Sequence, residues 1–337
     1  MAESAVLQLP ASLRLSRASG ALKVWWCAAM VSLALLLVVG LLGGITLTAL
    51  LWFMPSGSWL SAAEWQDAGR QFSDFLFASR GDFEGVAGVY PAIVGTALLV
   101  VIMSIIVAPL GVATAIYLSE YARDTWYTQA LRVAIHNLAG VPAVIYGVFG
   151  LGFFIYTMGG SVDQWLYADQ LPQPTFGTPG LLWAALTLAL LTLPVVIVAS
   201  EEGLGRIPLD LREGSLALGA TRAETLTRIL LPAAMPSILT GIILAMARAA
   251  GEVAPLMLVG VVKYAPALPV SLQAPFIHLE RKFMHLGYYV YDVTMYAQPS
   301  EGRLGLICAT ALLLVLVVSA LNIVAILLRR RMLARFV

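Results

Sequence analysis

EEGLGRIPLDLREGSLALGATRAETLTRILLP, residues 201–232, is a polar stretch set between long apolar runs. Its surroundings read as membrane-spanning material, so it stands out as a segment facing water. The chain of 337 residues is 60% hydrophobic and 12% charged, with a mean hydropathy of +0.87. A soluble domain carries roughly 25% charged residues. Apolar runs of 18 or more residues indicate membrane-spanning helices. The expected fold class is therefore all-α, a polytopic membrane protein with six transmembrane helices. A formal net charge of +1 points to no acidic or basic partner and to no nucleic acid. Cys27 and Cys308 both lie in apolar runs and are expected as small core residues rather than a disulfide.

Outward from residues 201–232, the spans fall in order. The first runs from Cys27 to Phe53, too long for a cleavable signal peptide and with no small-residue cleavage site after it. A 36-residue polar loop, 54–89, follows, with room for a short amphipathic helix and with Trp59 and Trp65 placed for a membrane interface. The second span is Tyr90 to Leu118, with Pro109 expected to kink it. The third is Leu131 to Met158, where Gly140, Gly147, Gly150 and Gly152 would let helices approach closely. The fourth is Gly180 to Ser200 and the fifth Leu231 to Val262, the latter interrupted by Pro236, Gly241, Gly251 and Pro255. Residues 263–303 read as a polar loop, and Leu304 to Leu328 closes the set.

Six spans place both termini on one side. Counting Arg132 at the start of the third span with the loop before it, thirteen of the twenty lysines and arginines lie in the tails and in the two loops on that side, six lie in the opposite loops, and Arg248 lies inside a span. Basic residues favour the cytoplasmic face, so both termini and residues 201–228 are expected there. Two units follow: residues 1–89, a cytoplasmic tail with the first helix and a periplasmic loop, and residues 90–337, a transmembrane domain containing the coupling segment 201–232.

Within that segment, Glu213 is followed by the small residues Gly214 and Ser215, then at fixed spacing by Gly219 and by Ile229-x-Leu231-Pro232. Asp210 is expected to cap a short helix ending near Leu218, and Gly219 to end it in a left-handed conformation. Thr221 with Glu224 is a capping box that starts a second helix. The product is a helix, a glycine corner and a second helix. Gly214 and Ser215 leave a low surface for a partner, with Arg212 and Glu213 at its edge.

This spacing resembles the EAA pattern of ABC-importer permeases, with Gly-Ser in place of Ala-Ala. From about Tyr90 onward the chain resembles the PstA-type permeases of bacterial phosphate ABC importers, in the MetI-like superfamily. The resemblance rests on LAGVPAVIYGVFGLGFF (138–154), IPLDLREGSLALGATRAETLTRILLPAAMPSILTGIILAMARAAGEVAPLM (207–257) and HLERKFMHLGYYVYDV (278–293). It implies a MetI-like core in the bacterial inner membrane, pairing with a PstC-like permease. It further implies a PstB-like ATPase dimer docked on the coupling helix and a periplasmic PstS-like phosphate-binding protein. Arg212, Glu213, Gly214, Ser215, Ala217, Gly219 and Ala220 are the expected ATPase-coupling residues. Three lysines, Lys23, Lys263 and Lys282, are present and none stands in a P-loop context. No cofactor is therefore expected in this chain, which is not an enzyme; ATP and Mg belong to the partner ATPase.

Arg248 and Glu252 are the formal charges inside an apolar run. A charge at the bilayer centre costs at least about 2.5–3.5 kcal/mol. Four residues apart, the two share a helix face and can pair. The guanidinium fork matches phosphate oxygens. A carboxylate beside it tempers affinity and favours an anion that still carries a hydroxyl, as phosphate does and sulfate does not. PstA-like permeases carry Arg and Glu at these two positions, so the resemblance puts Arg248 and Glu252 on the substrate pathway. His136 reads as an interfacial residue. His278 and His285 could face one side of a helix without a third metal ligand, and Tyr288, Tyr289 and Tyr291 fit an aromatic belt. A permease for another oxyanion of the sulfate or molybdate kind is an alternative, as is a secondary transporter. A membrane enzyme would require a cluster of His, Asp or Ser within the spans.

Overall fold

The computed structural model describes residues 11–54, 62–77, 88–170, 172–296 and 303–333. Its helices are α1 (Ala11–Phe53), α2 (Ala62–Phe77), α3 (Tyr90–Ile116), α4 (Trp126–Leu138), α5 (Ala143–Leu166), α6 (Leu181–Gly205), α7 (Leu209–Ala217), α8 (Arg222–Gly251), α9 (Leu286–Tyr296) and α10 (Arg303–Leu333). Six stretches are long and apolar enough to cross a membrane: Trp26–Phe53, Tyr90–Tyr121, Ala143–Leu166, Leu181–Gly205, Arg222–Gly251 and Arg303–Met332. Among the described residues the only β pairing is two isolated bridges, Val261 with Phe283 and Val270 with Ile277. The expected all-helical, six-span architecture is observed.

α6 is the centre of the bundle. It packs against α3 on one side and α8 on the other, and Leu99, Met103, Leu188, Leu191, Val196 and Ala245 fill the space between them. Small residues let α8 and α6 approach closely: a Cβ on Gly241 would stand 2.5 Å from the Ala199 Cβ. α10 packs on α1, and α1 is peripheral, with an apolar window 0% buried against 67% for α6. Cys27 is accordingly exposed on α1 rather than in the core, while Cys308 is half-buried, and both are free. α2 is the expected short helix of the first loop. Its Phe75 is buried beside Trp52 and Phe53, and Trp65 is exposed. Trp59 lies outside the described residues.

Three boundaries differ from expectation, each for a local reason. The third span begins at Ala143, not Leu131, because Pro142 disfavours helix at the residue before it and takes the N-cap position itself. Residues 126–138 form the separate helix α4, with His136 exposed on it. Arg132 of α4 is tied to Glu201 of α6 at 2.8 Å. Of the glycines expected at close contacts, Gly147 meets Pro255 and Gly150 meets Thr187, whereas Gly152 faces open space and Gly140 lies in the loop. The third span also runs on to Leu166. Asp163 there is buried, not a loop residue, and accepts hydrogen bonds from the backbone N–H groups of Phe176 (2.8 Å) and Gly177 (2.6 Å).

Residues 260–285 are also more ordered than a polar loop. They fold back over the start of α6, where the carbonyls of Val259, Arg281 and Leu279 accept from the N–H groups of Gly180, Leu181 and Leu182 at 2.9–3.1 Å. These are donors that a helix N-terminus leaves unsatisfied. His278 and His285 do not share a helix face. His278 Nδ1 is 3.0 Å from Glu280 Oε1 and its Nε2 3.1 Å from Ser271 Oγ. His285 is buried just before α9, accepts from Gly287 N–H at 3.2 Å, and burial pushes its imidazole down to about 4. Tyr289 is buried, and Tyr288 and Tyr291 are half-buried with rings 6.0 Å apart.

Candidate functional site

The site has two parts joined by one helix. The first is the corner between α7 and α8. α7 starts after Pro208, which holds the N-cap position without a side-chain cap, and Asp210 sits in the first turn instead of capping. A carboxylate there still faces the positive end of the helix. The C-terminus closes as a double hydrogen bond: Gly219 N–H donates to Leu216 O at 3.0 Å and Ala220 N–H to Ser215 O at 3.2 Å. Gly219 has φ +89°, the left-handed conformation this closure requires. Thr221 then caps α8, accepting from Glu224 N–H at 3.2 Å, while Glu224 Oε2 accepts from Thr221 N–H at 2.9 Å. The helix, glycine corner and capping box stand as the spacing predicts.

The side chains on this corner divide into two groups. Glu213, Gly214, Ala217 and Gly219 are exposed and Ala220 is half-buried. Ser215 and Arg212 turn inward, contrary to the expectation that both line the partner-facing surface. Ser215 Oγ is 2.9 Å from Thr225 Oγ1, so it ties α7 to α8. Arg212 Nη1 is 2.9 Å from Glu120 Oε1, and its Nη2 donates to the Leu204 carbonyl at 2.7 Å. Arg212 thus clamps α7 to the ends of α3 and α6.

Glu120 has no local mark in the sequence, because its partner lies 92 residues away. Glu120→Gln removes one charge from a largely buried pair. It is expected to lower the thermal unfolding midpoint of the detergent-solubilised protein, by the equivalent of roughly 1.5–3 kcal/mol, read by tryptophan fluorescence.

Beside exposed charges such as Asp210 and Glu213, the corner offers leucines outward. Leu209, Leu211 and Leu216 are half or more exposed or nearly so, and Leu218 is 91% exposed. A cavity of about 360 Å³ beside them is lined by Ser215, Leu218, Gly219, Ala220, Glu224, Arg228 and Ile229. These leucines form an exposed apolar patch on a short, otherwise polar element. Four leucines within ten residues of an otherwise polar stretch are the sequence signal for it.

The second part is the far end of α8. The helix stops at Gly251, and Glu252 is extended at φ −82°, ψ 126°. Pro255 explains the stop: its ring excludes helix at the residue before it and would clash with the carbonyl of Gly251. The fifth span therefore ends earlier than expected, and Glu252 is not on the helix face of Arg248. Arg248 Nε and Glu252 Oε2 are 4.0 Å apart, with side chains 36% and 21% exposed. That distance is an ion pair at its outer limit and too long for a hydrogen bond. Among the described residues Arg248 makes no hydrogen bond. Its five donors are uncommitted, at the helix C-terminus where a cation is favoured. Gly147 packs against Pro255 behind the break.

The same helix thus runs from the glycine corner to this open guanidinium. Along α8, Ala233, Thr240, Leu244 and Gly251 are exposed and Arg248 is half-buried beside them. Together they make one exposed face of α8 among the described residues.

The family model described as binding-protein-dependent transport system inner membrane component matches residues 107–336. The phosphate transport system permease protein PstA 1 of Mycobacterium tuberculosis is 32% identical over 289 residues, covering 85% of this chain and 83% of that protein. The PstA permease of Yersinia pestis is 35% identical over 171 residues, 50% of this chain and 52% of that protein. A crystal structure of a bacterial alginate ABC transporter, in complex with its alginate pentasaccharide-bound periplasmic protein, aligns with a TM-score of 0.60 at 15% identity, over 92% of this chain and 96% of that one. The last likeness is one of fold.

Proposed function

This chain belongs to the family of binding-protein-dependent transport system inner membrane components, and on that premise we propose that it is the PstA-like permease subunit of an ATP-driven inorganic phosphate importer. The curated relatives with phosphate permease names support the substrate. It forms the translocation pathway with a PstC-like permease. A PstB-like ATPase dimer, holding ATP and Mg, docks on the leucine-lined corner of α7. A PstS-like protein delivers phosphate from outside. Both termini and α7 face the cytoplasm, following the distribution of basic residues.

The observation that carries this reading is the span of α8. It starts at the motor-facing corner and ends beside an arginine with no committed hydrogen bond. Thirty residues at 1.5 Å each make it about 45 Å long. A tilt at the corner is therefore delivered as a displacement at Arg248. The exposed face of α8 lines the pathway opposite the partner permease. Closure of the ATPase dimer moves the corner, the two permeases part on the outer side, and phosphate passes Arg248.

A tagged copy of this chain, extracted in mild detergent, should bring down a second six-span permease and an ATPase. Recovery of this chain alone, still active in uptake, would count against the proposal. Glu252 supplies a narrower test. Its carboxylate accepts from the hydroxyl of protonated phosphate and repels an anion without one. Glu252→Gln should reduce the preference for phosphate over sulfate roughly tenfold, a loss of about 1.4 kcal/mol of discrimination, measured by competition uptake. Unchanged selectivity would remove Glu252 from the account.

A further inference from the structure

A cationic pocket lies beside α8, in the half of the helix that precedes Arg248. It has a volume of about 360 Å³ and is lined by Ala199 and Glu202 of α6, Arg206 just after it, Pro236, Ser237 and Thr240 of α8, and Arg329 of α10. That size is within the range of small-molecule sites, roughly 300–1,000 Å³. Arg206 begins the connection to α7, so the pocket opens on the same side as the coupling corner.

The charges are unbalanced. Glu202 pairs with Arg206 at 3.4 Å. Arg329 has no ion pair among the described residues, and its Nε is buried without a hydrogen-bond partner. Ordinary arginines at the end of a span reach outward to the headgroup region. Arg330 and Arg331 are exposed, whereas Arg329 is half-buried and turns into the pocket between three helices. A buried guanidinium donor without an acceptor costs free energy that an anion would recover. Thr240 and Ser237 lie on the same helix as Arg248, with Thr240 eight residues before it, or about 12 Å.

We propose that this pocket is a binding site for a phosphoryl oxyanion, with Arg329 as its principal ligand and Arg206 as the second. The inference rests on the permease reading above, which supplies both the ion and the membrane side. Two sources present that chemistry at this position. Free phosphate leaving the pathway would pause here after Arg248. An anionic lipid headgroup would seat here and brace α10 against α6 and α8.

The test uses the complete complex purified through this chain, as wild type, Arg329→Gln and the exposed control Arg330→Gln. The first arm measures retention of inorganic phosphate in nanodiscs of neutral phosphatidylcholine. The second measures thermal unfolding in nanodiscs with and without phosphatidylglycerol. If the ion is free phosphate, Arg329→Gln weakens retention roughly tenfold, as expected for a lost charged hydrogen bond. If it is a headgroup, Arg329→Gln abolishes stabilisation by phosphatidylglycerol and leaves phosphate retention alone. Arg330→Gln changes neither. Arg329→Gln indistinguishable from wild type in both arms overturns the proposal. A wild-type complex that takes up no phosphate overturns the importer reading instead, and the lipid arm still decides the pocket.

Discussion

Arg248→Lys should lower phosphate uptake roughly ten- to hundredfold, with the complex assembled as before. The substitution keeps the positive charge and removes the planar fork. An uncommitted arginine offers two parallel N–H groups to two phosphate oxygens, and an ammonium offers a point charge. A hydrogen bond to a charged group contributes about 1.5–3 kcal/mol, which sets the size of the loss. Arg248 has no hydrogen bond to give up among the described residues, and Glu252 stands at 4.0 Å. Little structural cost therefore accompanies the change. Uptake at the full wild-type rate would show that the fork is not used, and would leave Arg248 as half of an ion pair only. Recovery of the partner permease and ATPase in pull-down separates a transport defect from an assembly defect.

Gly219→Val should release the ATPase. At φ +89° a β-branched residue is strained by about 1–3 kcal/mol. The double hydrogen bond that closes α7 then competes with a corner of ordinary backbone geometry. Nothing lies within 4 Å of the place a Cβ would occupy, so the effect is conformational and not a clash. Gly219→Asn is the informative companion, because asparagine enters the left-handed region at small cost. The expected result is loss of ATPase co-purification for valine and its retention for asparagine. Equal retention in both would mean that the corner's shape does not select the motor.

Much of this was legible in the residues themselves. Run length and hydropathy locate six spans because lipid demands about twenty apolar residues from each helix. Capping chemistry is local, so Thr221 with Glu224 and the left-handed Gly219 could be anticipated within four residues. What escaped was of two kinds. Prolines at 142 and 255 moved span boundaries, because apolar composition continues across them while helix does not. That is why α4 is separate and why Glu252 stands outside α8. Long-range partners escaped as well. Nothing near Arg212 announces Glu120, and nothing near Asp163 announces the amides of Phe176 and Gly177. Inward or outward orientation of a polar side chain depends on such partners. Arg212 and Ser215 were accordingly expected on the docking surface, and the fold uses them beneath it.

ATP-driven movement of phosphate through a pathway this chain helps to form is the central proposal. The direct measurement is accumulation of radiolabelled phosphate in proteoliposomes carrying the purified complex, with ATP supplied at the face of α7 and the binding protein at the other. Accumulation should require ATP and the binding protein together, and excess unlabelled phosphate should abolish it where sulfate does not. Phosphate entry that proceeds without ATP, or sulfate accumulation in place of phosphate, would contradict it.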